Sequence, residues 1–163
     1  ADGRPFPSFP DPGNAMTTPP DTVDVTVHRS FAAPAERVFD AWLTPRLLGQ
    51  WMMGPEIREE KLLRLDVDPR VGGRFSMLVE RDGERIDHVG EYLVIERPHR
   101  LSFTWTIAGE AEQDGSRVDI VITPTPDGCE LQLTHTLPRA WADYAGRTQQ
   151  GWATMLEALH ALF

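Results

Sequence analysis

Val23, Val25 and Val27 alternate with polar residues through TVDVTVHRSF (22–31), and this period of two predicts a strand with one buried face. Ala33-Pro34-Ala35-Glu36 then opens a helix, because proline suits a first turn. Val38, Phe39, Trp42 and Leu43 follow at helical spacing. Thr44-Pro45 ends that helix, a second short one covers residues 46–51, and Gly54-Pro55 stops it. Residues 57–137 read as six strands separated by turn chemistry, at 68–73, 81–84, 97–100, 109–115 and 124–128. Such short connections predict an antiparallel meander.

Two strands show their faces plainly. Leu101, Phe103, Trp105 and Ile107 oppose Ser102, Thr104 and Thr106, and Leu131, Leu133, His135 and Leu137 oppose Glu130, Gln132, Thr134 and Thr136. The last stretch, 139–163, carries Trp141, Tyr144, Thr148, Trp152, Met155, Leu156, Leu159 and Phe163 every three or four residues. That stripe predicts one amphipathic helix of roughly 35 Å, long enough to lie along the apolar face of the sheet. Gly151 within it is expected to mark a close approach of the helix backbone to the sheet. The order β-α-α followed by six strands and a helix makes an α+β fold, with two short helices between the first and second of about seven strands.

Composition narrows the function classes. The 163 residues suit one domain at 22–163, preceded by a tail at 1–21 whose first twenty residues hold six prolines and two glycines. Phe6 and Phe9 are its strong apolar anchors, and docking on a neighbouring subunit is the expectation for it. Asp plus Glu number 25 against 16 Lys plus Arg, a net charge of -9 that repels a phosphate backbone, so no nucleic-acid partner is expected. The single Cys129 cannot close an intramolecular disulfide. No apolar run approaches membrane-spanning length and no signal-peptide pattern opens the chain, so a cytoplasmic location without membrane contact is expected. The uncharged helix positions Gln149, Gln150, Thr154 and Ala158 leave room for a homodimer.

These patterns together resemble a known family. Arg29-Ser30-Phe31-Ala32-Ala33-Pro34 with Val38-Phe39 and Trp42, then Leu48 and Trp51, open the resemblance. The turn from Asp68-Pro69-Arg70-Val71-Gly72-Gly73 into Arg74-Phe75, the Gly90-Glu91-Tyr92 strand, Pro98 with Arg100-Leu101, Thr104-Trp105, Leu133-Thr134-His135, and Gly151-Trp152 with Leu156 and Leu159 complete it. The chain from about residue 23 to 163 looks like a START-like (SRPBCC, helix-grip) protein, of the branch named for homologues of the activator of heat-shock-protein-90 ATPase. The resemblance implies a curved antiparallel sheet wrapped around a long C-terminal helix with a cavity between them. It also implies a small hydrophobic ligand, since wider relatives bind sterols, lipids, flavonoids or polyketides. Co-chaperone activity transfers poorly, because the name-giving eukaryotic proteins carry an additional N-terminal domain with no counterpart in these residues.

Candidate ligand contacts are His135, which parity places among inward leucines, and Phe75, Met77, Val79, Phe103, Trp105, Trp141, Tyr144, Thr148 and Trp152 along the space between sheet and helix. Met52 and Met53 are expected at the cavity mouth, where adaptable thioethers suit a ligand of loose shape. Tyr92 shares parity with His88 and Gly90, so a hydroxyl and an imidazole are expected on one face. The competing expectations are a core histidine and a fully packed interior, with a void of roughly 300 Å³ or more as the sign of a binding site. No catalytic residue, metal site or cofactor is expected: there is no nucleophile elbow or phosphate loop, and the five histidines are scattered. Glu59-Glu60 and Glu110-Ala111-Glu112 read as solvated strand ends or turns. A cyclase- or hydrolase-like reaction using His135, a chaperone-interaction module acting through its outer surface, and a structural domain without a pocket are the alternatives.

Overall fold

The computed structural model describes residues 21–110 and 115–163. The expectation for the proline-rich tail, with Phe6 and Phe9, lies outside the described residues, as do Ala111 and Glu112. Seven strands run β1 (Thr22–Phe31), β2 (Lys61–Val67), β3 (Arg74–Arg81), β4 (Glu84–Glu96), β5 (Arg100–Ile107), β6 (Ser116–Thr125) and β7 (Gly128–Pro138). Helices α1 (Ala35–Asp40) and α2 (Pro45–Trp51) lie between β1 and β2, and α3 (Ala145–His160) closes the chain. The sheet order is β1-β7-β6-β5-β4-β3-β2. Six strands therefore form a meander, and β1 returns to pair antiparallel with β7, placing Val25 opposite His135 and Val27 opposite Leu133.

Both short helices start at proline: Pro34 is the N-cap of α1, as the sequence leads one to expect, while Pro45, read from sequence as ending the first helix, stands in the first turn of α2. Trp51 Nε1 then donates to Ala41 O at 3.0 Å, fastening the second helix to the end of the first. Register irregularities at Leu62/Arg64 and Tyr92/Val94 bend the sheet where it wraps the helix. At Gly90 a side chain would collide with the next strand, because an ideal Cβ would sit 1.9 Å from Thr104 O and 2.5 Å from the Phe75 ring.

The C-terminal element differs from the single long helix expected. Arg139–Tyr144 forms a 3₁₀ turn, and only 16 residues of α3 follow, about 24 Å of helix. A 3₁₀ turn eclipses residues three apart, which brings the Trp141 and Tyr144 rings to 5.5 Å. Gly151 likewise has no close neighbour; nothing lies within 4 Å of a Cβ built there. Its place in α3 costs helix propensity with no packing return, so Gly151→Ala is expected to stabilise the protein by about 0.5–1 kcal/mol in urea unfolding. A loss of stability would show an unseen contact at that face.

Glu60 corrects another expectation. Its side chain is fully buried rather than solvated. Arg81 Nε and Nη2 donate to Oε1 at 3.0 and 2.7 Å, while Gly54 N and Arg58 Nη1 donate to Oε2 at 2.7 and 3.2 Å. Arg58 Nη1 also reaches Met52 O at 3.1 Å. Four donors thus compensate the buried carboxylate and tie the segment after α2 to β3. No helix among the described residues is long and apolar enough to cross a membrane.

Candidate functional site

The centre of the molecule is filled by rings. Trp42 packs on Trp51 at 4.6 Å and on Trp152 at 6.0 Å, Phe75 meets Phe103 at 5.6 Å, and Trp105 lies 5.8 Å from both Phe75 and Trp152. Phe75, Met77, Phe103 and Trp152 are consequently buried core, and they occupy most of the space that the sequence suggested as a cavity. Met52 and Met53 are also buried, and Met53 Sδ accepts from Arg58 Nη1 at 3.6 Å. Tyr92 does share a buried face with His88, but its ring packs on Phe75 at 5.5 Å, behind the core aromatics. Burial pushes its phenol upward in pKa. Tyr144 is 45% exposed, with the Arg147 guanidinium 5.2 Å from its ring centre.

A space remains between sheet and helix, a cavity of about 170 Å³ at the end where β5 leaves and β6 enters. It falls short of the roughly 300 Å³ taken from the sequence as the sign of a binding site, because the aromatic cluster closes its inner end. Trp105, Ile107, Leu137, Pro138 and Trp141 form its apolar walls; Thr106, Ser116, His135 and Thr148 supply polar atoms, and Glu110 is the one charged side chain among the described residues of the lining. Of the residues proposed from sequence, the fold brings His135, Trp105, Trp141 and Thr148 to this space. Ser116 and Glu110 went unrecognised as contributors. A hollow of about 760 Å³ on the outward, polar face of the sheet, lined by residues such as Arg74, Glu91, Thr104 and Arg117, shares Thr106, Ile107, Glu110, Ser116 and Pro138 with the cavity. The cavity therefore opens at this end of the β5–β6 hairpin.

The polar atoms are fixed by register. Val118 lies opposite His135 across β6 and β7, so Ser116, two residues earlier, is the diagonal neighbour on the same face. Ser116 is also directly opposite Trp105 across β5 and β6. From α3, Trp152 Nε1 donates to His135 Nδ1 at 2.9 Å. An indole N–H can only donate, so His135 Nδ1 is the acceptor and the neutral ring carries its proton on Nε2. That proton faces Ser116 Oγ at 2.6 Å, and Ser116 in turn donates to the Trp105 carbonyl at 2.7 Å. The chain of donors runs in one direction, from Trp152 through His135 and Ser116 to the backbone of β5.

A second proton on His135 would displace the Trp152 bond and place a charge in the core. Burial accordingly holds its pKa down to about 4, against an ordinary 6.5. Between these values the unfolded chain takes up a proton that the folded chain refuses. The contribution of His135 to stability is complete above pH 6.5 and is withdrawn as the pH falls toward 4, by roughly 3 kcal/mol in all. Urea unfolding across pH 4–7.5 should show this slope, and it should flatten in His135→Asn. An unchanged slope in the variant would mean that folding does not hold the ring neutral below its ordinary pKa. His88, whose pKa burial also lowers, supplies a residual slope of the same sign. Among the described residues, no group of three or more His, Cys, Asp or Glu is placed to hold a metal ion.

Comparisons place this geometry among known proteins. The family model described as activator of Hsp90 ATPase homolog 1-like protein matches residues 32–163. No curated protein matches. A Chromobacterium violaceum protein of known structure is 28% identical, with a TM-score of 0.73 over 87% of this chain and 96% of that one. An Aeromonas hydrophila protein described as AHSA1-like is 23% identical, with a TM-score of 0.69 over 85% of this chain and 90% of that one. A Staphylococcus aureus protein of unknown function, 17% identical, has a TM-score of 0.72 over 86% of this chain and 92% of that one. The two of lower identity share the fold alone. Seven antiparallel strands gripping a C-terminal helix and a model match over most of the length lead to one assignment: the chain belongs to the activator of Hsp90 ATPase homolog 1-like family.

Proposed function

We propose that this protein binds a small, mostly hydrophobic molecule in the cavity beside His135, in contact with Trp105, Trp141 and Thr148. The observation that carries this is the 170 Å³ space that remains beside a cluster of packed aromatic rings. A domain of this size has ample apolar residues to fill it. Instead its wall is held by a directed hydrogen-bond chain, which fixes both the shape and the polarity of the site. Phe75, Phe103 and Trp152 pack against Trp105 and keep it in place, and Met77 and Tyr92 belong to the same buried core. Met52, Met53 and Tyr144 contribute to the surrounding scaffold.

An acid-base cyclase or hydrolase would need a ring nitrogen free to move a proton. Both nitrogens of His135 are engaged, so the geometry favours holding a molecule over transforming one. Apolar burial of the ligand contributes about 25 cal/mol per Å² without any further device. Native mass spectrometry of the protein purified from its own host tests this. The expected spectrum contains a one-to-one complex whose added mass is absent from Trp141→Ala; an added mass that persists in that variant would place the ligand elsewhere, and ligand-free protein throughout would count against binding.

A further inference from the structure

We infer that the site takes a molecule with one ring and a short substituent, and that the Trp105 indole sets this limit by closing the inner end of the cavity; the inference rests on the binding function proposed above. Size comes first. An apolar cavity of about 150 Å³ takes up benzene, so 170 Å³ holds one ring with a few further atoms and leaves no room for a second, fused ring. Polarity narrows the choice less. The Thr106 and Thr148 hydroxyls of the lining can each donate or accept, so a hydroxyl, an ether or an amide on the ligand finds a partner alike.

Trp105 is the partition between the open space and the filled one. It lines the cavity, and its ring also lies 5.4 Å from His88, 5.8 Å from Phe75 and Trp152, and 6.2 Å from Phe103, all four of them buried. Removing the indole would extend the cavity into the volume it now fills among those rings. Trp152 borders the same region, but its Nε1 donates to His135 Nδ1, so replacing it would break the hydrogen-bond chain as well as enlarge the cavity. Trp105 enters that chain through its main-chain carbonyl, which accepts from Ser116 and survives a change of side chain. The size limit therefore belongs to a side chain that can be altered while the polar wall is kept.

The test compares benzyl alcohol with naphthylmethanol on wild type, Trp105→Ala and Trp105→Leu, with affinity read from the Trp141 and Trp152 indole N–H signals during NMR titration. Burying a second ring raises affinity by about tenfold where there is room for it. Wild type is expected to show none of that gain, Trp105→Ala the whole of it and Trp105→Leu a part. The leucine variant keeps an apolar side chain at this position and gives the reading if the alanine variant does not fold. If wild type already binds the fused ring about tenfold more tightly, or if the gain is missing from both variants, Trp105 does not set the limit and the inference is wrong while the binding site stands. If neither alcohol moves these signals in wild type, the proposed function fails and this inference fails with it.

Discussion

Replacing His135 with alanine is expected to lower the unfolding free energy by about 4 kcal/mol, measured in urea at pH 7.5. The loss has two sources. Removing the ring leaves a void among Trp152, Leu133 and Leu137, and it strands the Trp152 indole N–H, which has no other partner to turn to. A buried donor left unpaired costs about 1–3 kcal/mol by itself. Two milder substitutions divide the effect. Asparagine can set its carbonyl oxygen near the position of Nδ1 and recover the Trp152 bond, and glutamine can set its amide near Nε2 and recover the Ser116 bond. Each should retain about half of the lost stability. If His135→Ala unfolds like wild type, the hydrogen-bond chain is not what holds this wall together.

Gly90→Ala should be at least as damaging, with a loss of about 4 kcal/mol or failure to fold. The added methyl would fall 1.9 Å from Thr104 O, a main-chain atom of the neighbouring strand, and 2.5 Å from a ring carbon of Phe75. Neither can retreat cheaply. Thr104 Oγ1 accepts from Glu91 N at 2.9 Å, anchoring β5 to β4 at this point, and Phe75 is wedged among Tyr92, Phe103 and Trp105. Gly151→Ala is the matched comparison, because the same methyl there meets nothing. Opposite signs of the two stability changes would confirm that the close approach lies in the sheet. Equal and small changes would show that β4 and β5 are spaced more loosely than described.

The fold was legible to the extent that one face of each element is apolar. Alternating valines and leucines announced β1, β5 and β7, and turn residues separated the meander, because buried faces and tight connections are local properties. The final helix was overextended because Trp141 and Tyr144 satisfy a 3₁₀ turn as well as an α-helix at a spacing of three. Glu60 was read as solvated because nothing near it in sequence reveals Arg81, 21 residues away, as its partner.

The site was legible only in part. Parity placed His135 on the inward face, but whether its nitrogens were free depended on the register of β6 and on α3, which no local pattern joins to β7. Ser116 did carry a signal: it opens an inward series with Val118, Ile120 and Ile122, and a polar residue in such a series needs a partner. Glu110 carried none, since a carboxylate in a turn is ordinarily solvated. The size of the cavity was illegible, because it depends on how six aromatic side chains divide one volume.

Two-dimensional NMR of the indole N–H signals during a titration with benzyl alcohol tests most directly whether that remaining space admits a ring. The Trp105 and Trp141 signals, and that of Trp152 through its bond to His135, should shift together and saturate at one equivalent, while those of Trp42 and Trp51 stay in place. Absence of any shift, or shifts at Trp42 and Trp51 with none at Trp105 and Trp141, would contradict a binding site at this end of the sheet.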